Sequence, residues 1–154
     1  MDKKEFIDEI KEEIENLKRL EKEMKSLLYD IREEPTFKEI RVGASILHDF
    51  YSGIEKIFEK IALVIDKHLP ASEEWHIELL SQMADSFANI RSPVISKELF
   101  EKLKEYLKFR HLFRHIYGFE LKWNKIENLC LGMSEVLNKF IKEIGKFLNI
   151  IKEK

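Results

Sequence analysis

The chain has little of what usually punctuates or cross-links a small protein. Among 154 residues there are one cysteine, three prolines and five glycines. Cys130 has no second thiol to meet, which excludes an internal disulfide and points to a reducing cytoplasm. So few glycines and prolines argue against a turn-rich sheet protein. No apolar run approaches the ~20 residues of a membrane span. The charged opening MDKKEFIDEIKEEIE has none of the character of a secretory signal. The expectation is a cytoplasmic protein with no membrane segment, and the length suits one domain over residues 1–154 with its own core. A large charge of one sign is also missing. The net charge is −2, so the chain as a whole is not a polyanion binder.

The charge is unevenly spread. Residues 1–34 carry 8 Lys/Arg and 12 Asp/Glu, a balance of −4, whereas residues 97–125 carry 8 Lys/Arg and 4 Glu, a balance of +4. A local anion site in the second stretch fits that excess, as does an ordinary solvated helix face.

Apolar residues recur every three or four positions almost throughout, and no stretch alternates with period two. The first stripe runs through Ile10, Ile14, Leu17, Leu20, Met24, Leu27 and Ile31, and Pro35 ends it. A second runs from Phe37 through Leu47, Tyr51, Ile54 and Phe58 to Ile65, stopping at Leu69-Pro70. Ser72 is a candidate cap for a third helix carrying Trp75, Leu79, Leu80, Met83, Phe87 and Ile90 up to the break at RSPVIS. Ser96 is positioned to cap a fourth, expected to reach about Tyr117-Gly118. Asn124 and Glu127 have capping-box spacing for a fifth, whose stripe runs from Ile126 to Ile151. The pattern predicts an all-α, up-and-down antiparallel bundle of about five helices. The first two helices are expected to be long, roughly 45 Å each, and free to project as a charged hairpin.

One stretch resists a purely structural reading. YLKFRHLFRHIYGFEL, Tyr106 to Leu121, combines core-type side chains with Arg110, His111, Arg114 and His115. On an ideal helix, at about 100° per residue, Phe109, Leu112, Phe113 and Ile116 form the core face. Arg110, Arg114 and Tyr117 share a ridge beside it, and His111 and His115 lie farther round. Arg110 and His115 are about 140° apart, too far to clasp one small group together. Either the helix is distorted near Gly118 or a second copy of the chain supplies part of the site.

Three chemistries fit this flank. It can be a solvated edge of snorkelling basic side chains. His111 and His115 can offer two metal ligands on one helix face, short of a full set, with His48, Asp49 and His76 on other helices as the remaining candidates. Or arginine can grip phosphate while histidine moves protons, a minimal kit for cleaving RNA through its own 2′-hydroxyl. Tyr106 and Trp75 read as core or interface aromatics, and Cys130 as a small buried hydrophobe. His48, Asp49, Tyr51 and His76 can line a cleft from the opposite wall or sit in solvent.

RHLFRHIY resembles the Arg-x4-6-His signature of the HEPN superfamily, and in particular the Arg-x4-His-x-Tyr form of HepT-like toxins, here Arg110, His115 and Tyr117. His111 matches the polar residue that often follows the arginine. LHDFYSGIEKIFEKIA, WHIELLSQMA and RHLFRHIYGFELKW are similar in order and spacing to the same proteins. The resemblance implies a metal-independent endoribonuclease toxin that needs no cofactor. Its two motifs would meet across a homodimer cleft. Arg110, His115 and His111 would be catalytic, and Arg114 and Lys108 would bind RNA. The implied partner is a nucleotidyltransferase antitoxin of the MNT type, which silences such toxins by adding AMP to the motif tyrosine, Tyr117. Some relatives are instead non-catalytic nucleotide-binding or dimerising modules.

Overall fold

Asp2 starts the first helix by accepting the Glu5 backbone N–H at 2.7 Å, which satisfies one of the donors that a helix start leaves unpaired. A computed structural model describes residues 1–154. It is all-helical, with five main helices forming a bundle: α1 Lys3–Asp30, α2 Phe37–Ile61, α3 Trp75–Ala84, α4 Lys97–Phe113 and α5 Trp123–Glu153. A wide turn over Ala62–Asp66 prolongs α2 and stops at Lys67, whose φ of 55° lies in the left-handed region. Pro35 falls between α1 and α2, as expected. Thr36 and Glu39 form a reciprocal capping box there.

The apolar stripes meet in one core of 37 buried residues. Phe50 meets Tyr106 and Phe58 meets Phe140 edge-on, with ring centroids 5.3 and 5.7 Å apart. Tyr106 is a core aromatic whose hydroxyl donates to the Leu129 carbonyl at 2.7 Å. Gly53 allows α1 close to α2, because a Cβ there would lie 2.7 Å from the Leu17 side chain. Helix α1 therefore does not project. It packs against both α2 and α5, burying seven residues from Phe6 to Leu27. At 31 residues α5, not α1 or α2, is the longest helix.

Four helix ends differ from the sequence expectation. Helix α3 stops at Ala84, not Ile90, because Arg91 folds back and occupies the carbonyls of Gln82, Asp85 and Ser92. Ser72 caps a turn just ahead of α3, accepting the Glu74 N–H at 3.1 Å. Helix α4 is capped by Ser96 as expected, and the Ser96 hydroxyl and N–H also donate to Glu143 of α5. It ends at Phe113, however, four residues short of Tyr117. The proposed Asn124–Glu127 capping box does not form. Lys122 occupies the cap position, and Glu127 accepts the indole N–H of Trp123 at 3.0 Å.

Candidate functional site

Helix α4 buries Leu99, Leu103, Tyr106, Leu107 and Phe109. That places Arg110 at the edge of the core, facing α2 and the start of α3. Its side chain is 14% exposed and reaches polar groups from both neighbours. Nε donates to the Ser52 hydroxyl at 3.1 Å, and Nη1 lies 3.4 Å from His76 Nδ1 and 3.7 Å from a Glu55 oxygen. The other Glu55 oxygen sits 2.7 Å from the same His76 nitrogen. Ser52 and Glu55 are three residues apart, so they share one face of α2. The Trp75 ring covers His76 at 3.7 Å between centroids. Nη2 of Arg110, which lies between the tethered Nε and Nη1 on the rim of the guanidinium, makes no hydrogen bond within the chain.

This polar pocket lies against apolar surroundings, and ionisation responds accordingly. Burial raises the Tyr51 phenol far above its ordinary value, and the nearby Glu55 carboxylate adds to the rise. One turn along α2, burial also raises Glu59, with Glu55 again contributing.

Beyond Arg110 the chain leaves the helix. Arg114 is the cap residue, and the His115 N–H bonds three residues back to the Leu112 carbonyl at 2.9 Å. Tyr117 is extended, and its N–H donates to the Glu120 carboxylate at 2.9 Å across a 3-10 turn, Gly118–Glu120. The buried side chain of Leu121 draws the chain back to the core. Arg110, Arg114 and Tyr117 therefore do not form the single ridge expected of a longer helix. Instead Arg110 turns inward, while His111 and His115 stay exposed and pair with each other edge to face, ring centroids 4.6 Å apart. Arg114 is exposed with no carboxylate partner, Lys108 pairs loosely with Glu105 at 3.5 Å, and Tyr117 is 70% exposed. His48 packs on Phe113 at 5.2 Å and contacts Asp49 at 3.5 Å. No three His, Cys, Asp or Glu side chains converge closely enough to hold a metal ion.

Sequence reasoning singled out Arg110 but did not anticipate its partners Ser52 and Glu55, and left His76 open. A signal was present. On the α2 wheel Glu55 falls about 40° from Tyr51, bordering the stripe made by Tyr51, Ile54 and Phe58. A carboxylate there needs a buried donor. Which helix supplies that donor is a tertiary fact.

A helical bundle that holds one arginine by a serine, a glutamate and a histidine, and then exposes two histidines and a tyrosine, defines a class with an Arg-x4-His-x-Tyr segment at a helix end. The family model described as HepT-like protein matches residues 43–151, a span that includes every residue of this site. The chain belongs to the HepT-like proteins of the HEPN superfamily. No curated protein and no solved structure matches it. No helix is long and apolar enough to cross a membrane.

Proposed function

We propose that the chain, as one HEPN-like domain, is a metal-independent endoribonuclease toxin of the cytoplasm, paired with an MNT-type nucleotidyltransferase antitoxin. The observation that carries the reading is the state of Arg110. Its Nε is bonded to Ser52 and its Nη1 is drawn to Glu55, which steadies the guanidinium, and its Nη2 is left for a phosphate oxygen. Pre-orientation of this kind matters because a donor already in place need not reorganise as charge develops on the phosphorane. His115 removes the 2′-hydroxyl proton, and a second imidazole protonates the departing 5′-oxygen, a contribution of about 10²–10⁴-fold. In a homodimer that second imidazole is His115 of the facing copy, with His111 orienting or sharing the role. Leu112 is 47% exposed beside the histidine pair, an apolar contact of the sort a facing copy covers. Arg114 and Lys108 hold neighbouring phosphates. The high exposure of Tyr117 leaves its hydroxyl open to AMP addition, which would block RNA entry by bulk and like charge.

The proximity of Glu55 favours a second reading. A carboxylate 3.7 Å from Arg110 offsets part of its positive charge, as suits a non-catalytic nucleotide-binding or dimerising module. Cleavage of a mixed RNA substrate in EDTA separates the two. Metal-free cleavage that falls at least a hundredfold in His115→Ala is expected. Loss of activity on chelation, or full activity in that variant, removes the ribonuclease scheme.

A further inference from the structure

Tyr117 and Phe119 are the most exposed large aromatics near the site, at 70% and 71%. Their rings lie nearly parallel, 7° apart in plane with centroids 5.2 Å apart. Such exposure is unusual for rings that could have turned toward the core, because apolar surface left in water forgoes burial. The display is also built. The Glu120 carboxylate accepts the Tyr117 N–H, the Glu120 and Leu121 N–H groups bond back to Tyr117 and Gly118, and Leu121 anchors the turn in the core. Gly118 leaves room for the Arg41 guanidinium of α2, which lies directly against it, where any Cβ would collide. Arg41 also sits over the Phe37 ring at 5.2 Å. A cleft of about 320 Å³ lined by Arg41, Phe113, Ile116, Gly118 and Leu121 opens on the same turn.

The surrounding charge distinguishes the occupants of such a patch. Arg41, Arg114, Lys122 and Lys125 have no carboxylate within 4 Å. A protein partner covering two aromatic rings would leave these cations to be desolvated, whereas single-stranded RNA supplies base faces for the rings and phosphates for the cations.

We propose that Tyr117 and Phe119 form a stacking platform for an unpaired RNA base, with Arg41 and Arg114 holding the phosphates on either side. The inference rests on the ribonuclease reading and names its substrate as single-stranded RNA, held by a base close in sequence to His115. Stacking tolerates any base, so the platform provides affinity and strand selectivity rather than a sequence code.

The test is binding of a fluorescein-labelled single-stranded RNA in EDTA, with cleavage followed in parallel. Phe119→Ala is expected to weaken binding about tenfold and to raise KM in proportion, with kcat within about twofold. Phe119→Tyr, which keeps a ring, restores both. A perfectly duplexed RNA, whose bases cannot splay out, should bind wild type and Phe119→Ala alike. Wild type that cleaves, with Phe119→Ala matching it in Kd and KM, overturns the platform and leaves the ribonuclease reading intact. Wild type that binds without cleaving, with the Phe119→Ala loss, keeps the platform and removes the ribonuclease. Wild type that binds no single-stranded RNA removes the platform, as does a Phe119→Ala protein that turns from dimer to monomer in sedimentation, since the patch is then a contact between copies.

Discussion

Two arginines of this chain turn inward, Arg91 fully buried and Arg110 at the edge of the core, and they differ most in how their donors are used. Arg91, with a side chain 3% exposed, uses all five of its donors. Nε and Nη2 grip the two oxygens of Asp66 at 2.6 Å, Nη1 reaches the Asp85 and Ser92 carbonyls, and Nη2 also reaches the Gln82 carbonyl. Asp66 is further held by the Gln82 amide at 2.8 Å. Arg110 has a long approach to Glu55, one bond to serine, a shared histidine and an unused Nη2. A guanidinium can satisfy five acceptors. Where all five are internal the group is a clasp, and where two or three are internal the remainder are open to a ligand. Satisfaction, more than burial, separates the two arginines here.

The sharpest way to break this comparison is to truncate each arginine in turn. Arg91→Ala leaves the fully buried Asp66 carboxylate without its cation, and the loss of stability in urea should be about 3–5 kcal/mol. Arg91→Lys should recover less than half, because one ammonium cannot replace a planar five-donor fork. Arg110→Ala is expected to cost about 1.5–3 kcal/mol of stability, the range for a bond to a charged group. Its RNA cleavage should fall about 10²–10³-fold. If the costs exchange places, with Arg110 dominating stability, the functional assignment of its free Nη2 is wrong.

The contrast also explains what the chain discloses before it folds. The stripes of α1, α2 and α5 were legible because packing obeys the 3.6-residue period, and Ser96 announced its helix because caps are local. The chain around each of these two arginines was illegible in detail. Phe87 and Ile90 continue the α3 period, yet Arg91 takes the carbonyls that the helix would need. Ile116 fits the core face of α4, yet the chain turns at Arg114 so that Leu121 can be buried. The motif Arg110–His115–Tyr117 was readable as a pattern of residue types. Its arrangement was not, since the partners of Arg110 arrive from α2 and α3 across 58 and 34 positions of chain.

A smaller effect sharpens the role of Glu55. Glu55→Gln keeps shape and one acceptor but removes the charge that opposes Arg110 and holds His76. Stability should drop by about 1–3 kcal/mol in urea. With less internal competition Arg110 attracts phosphate at least as well, so KM should not rise, whereas the loosened guanidinium should lower kcat about tenfold. A raised KM with unchanged kcat would place Glu55 in substrate binding and not in positioning.

The smallest expected effect lies one turn farther along α2 and tests whether the pocket is as acidic and as dry as its neighbours imply. Glu59 is raised by partial burial first and by the Glu55 charge second. For a carboxyl raised in the folded state, the unfolded chain releases its proton at lower pH than the folded chain does. Ionised Glu59 therefore works against the fold, and that penalty grows as pH rises from the unfolded value through the folded one. Replacing it with neutral glutamine should leave stability at pH 4 unchanged. At pH 7 the fold should be slightly more stable, within about 0.5 kcal/mol because the group is partly solvated. Glu98 runs the other way. It is lowered by the Lys139 hydrogen bond and then by its charge, so its contribution is present at neutral pH and is lost on acidification through the folded value. Urea titrations of Glu59→Gln and wild type at the two pH values give the sign directly. A variant less stable at pH 7 would mean that Glu59 is held as a favourable anion by Arg110 and His76. The pocket would then be net cationic, and Glu55 could not be the group that offsets Arg110.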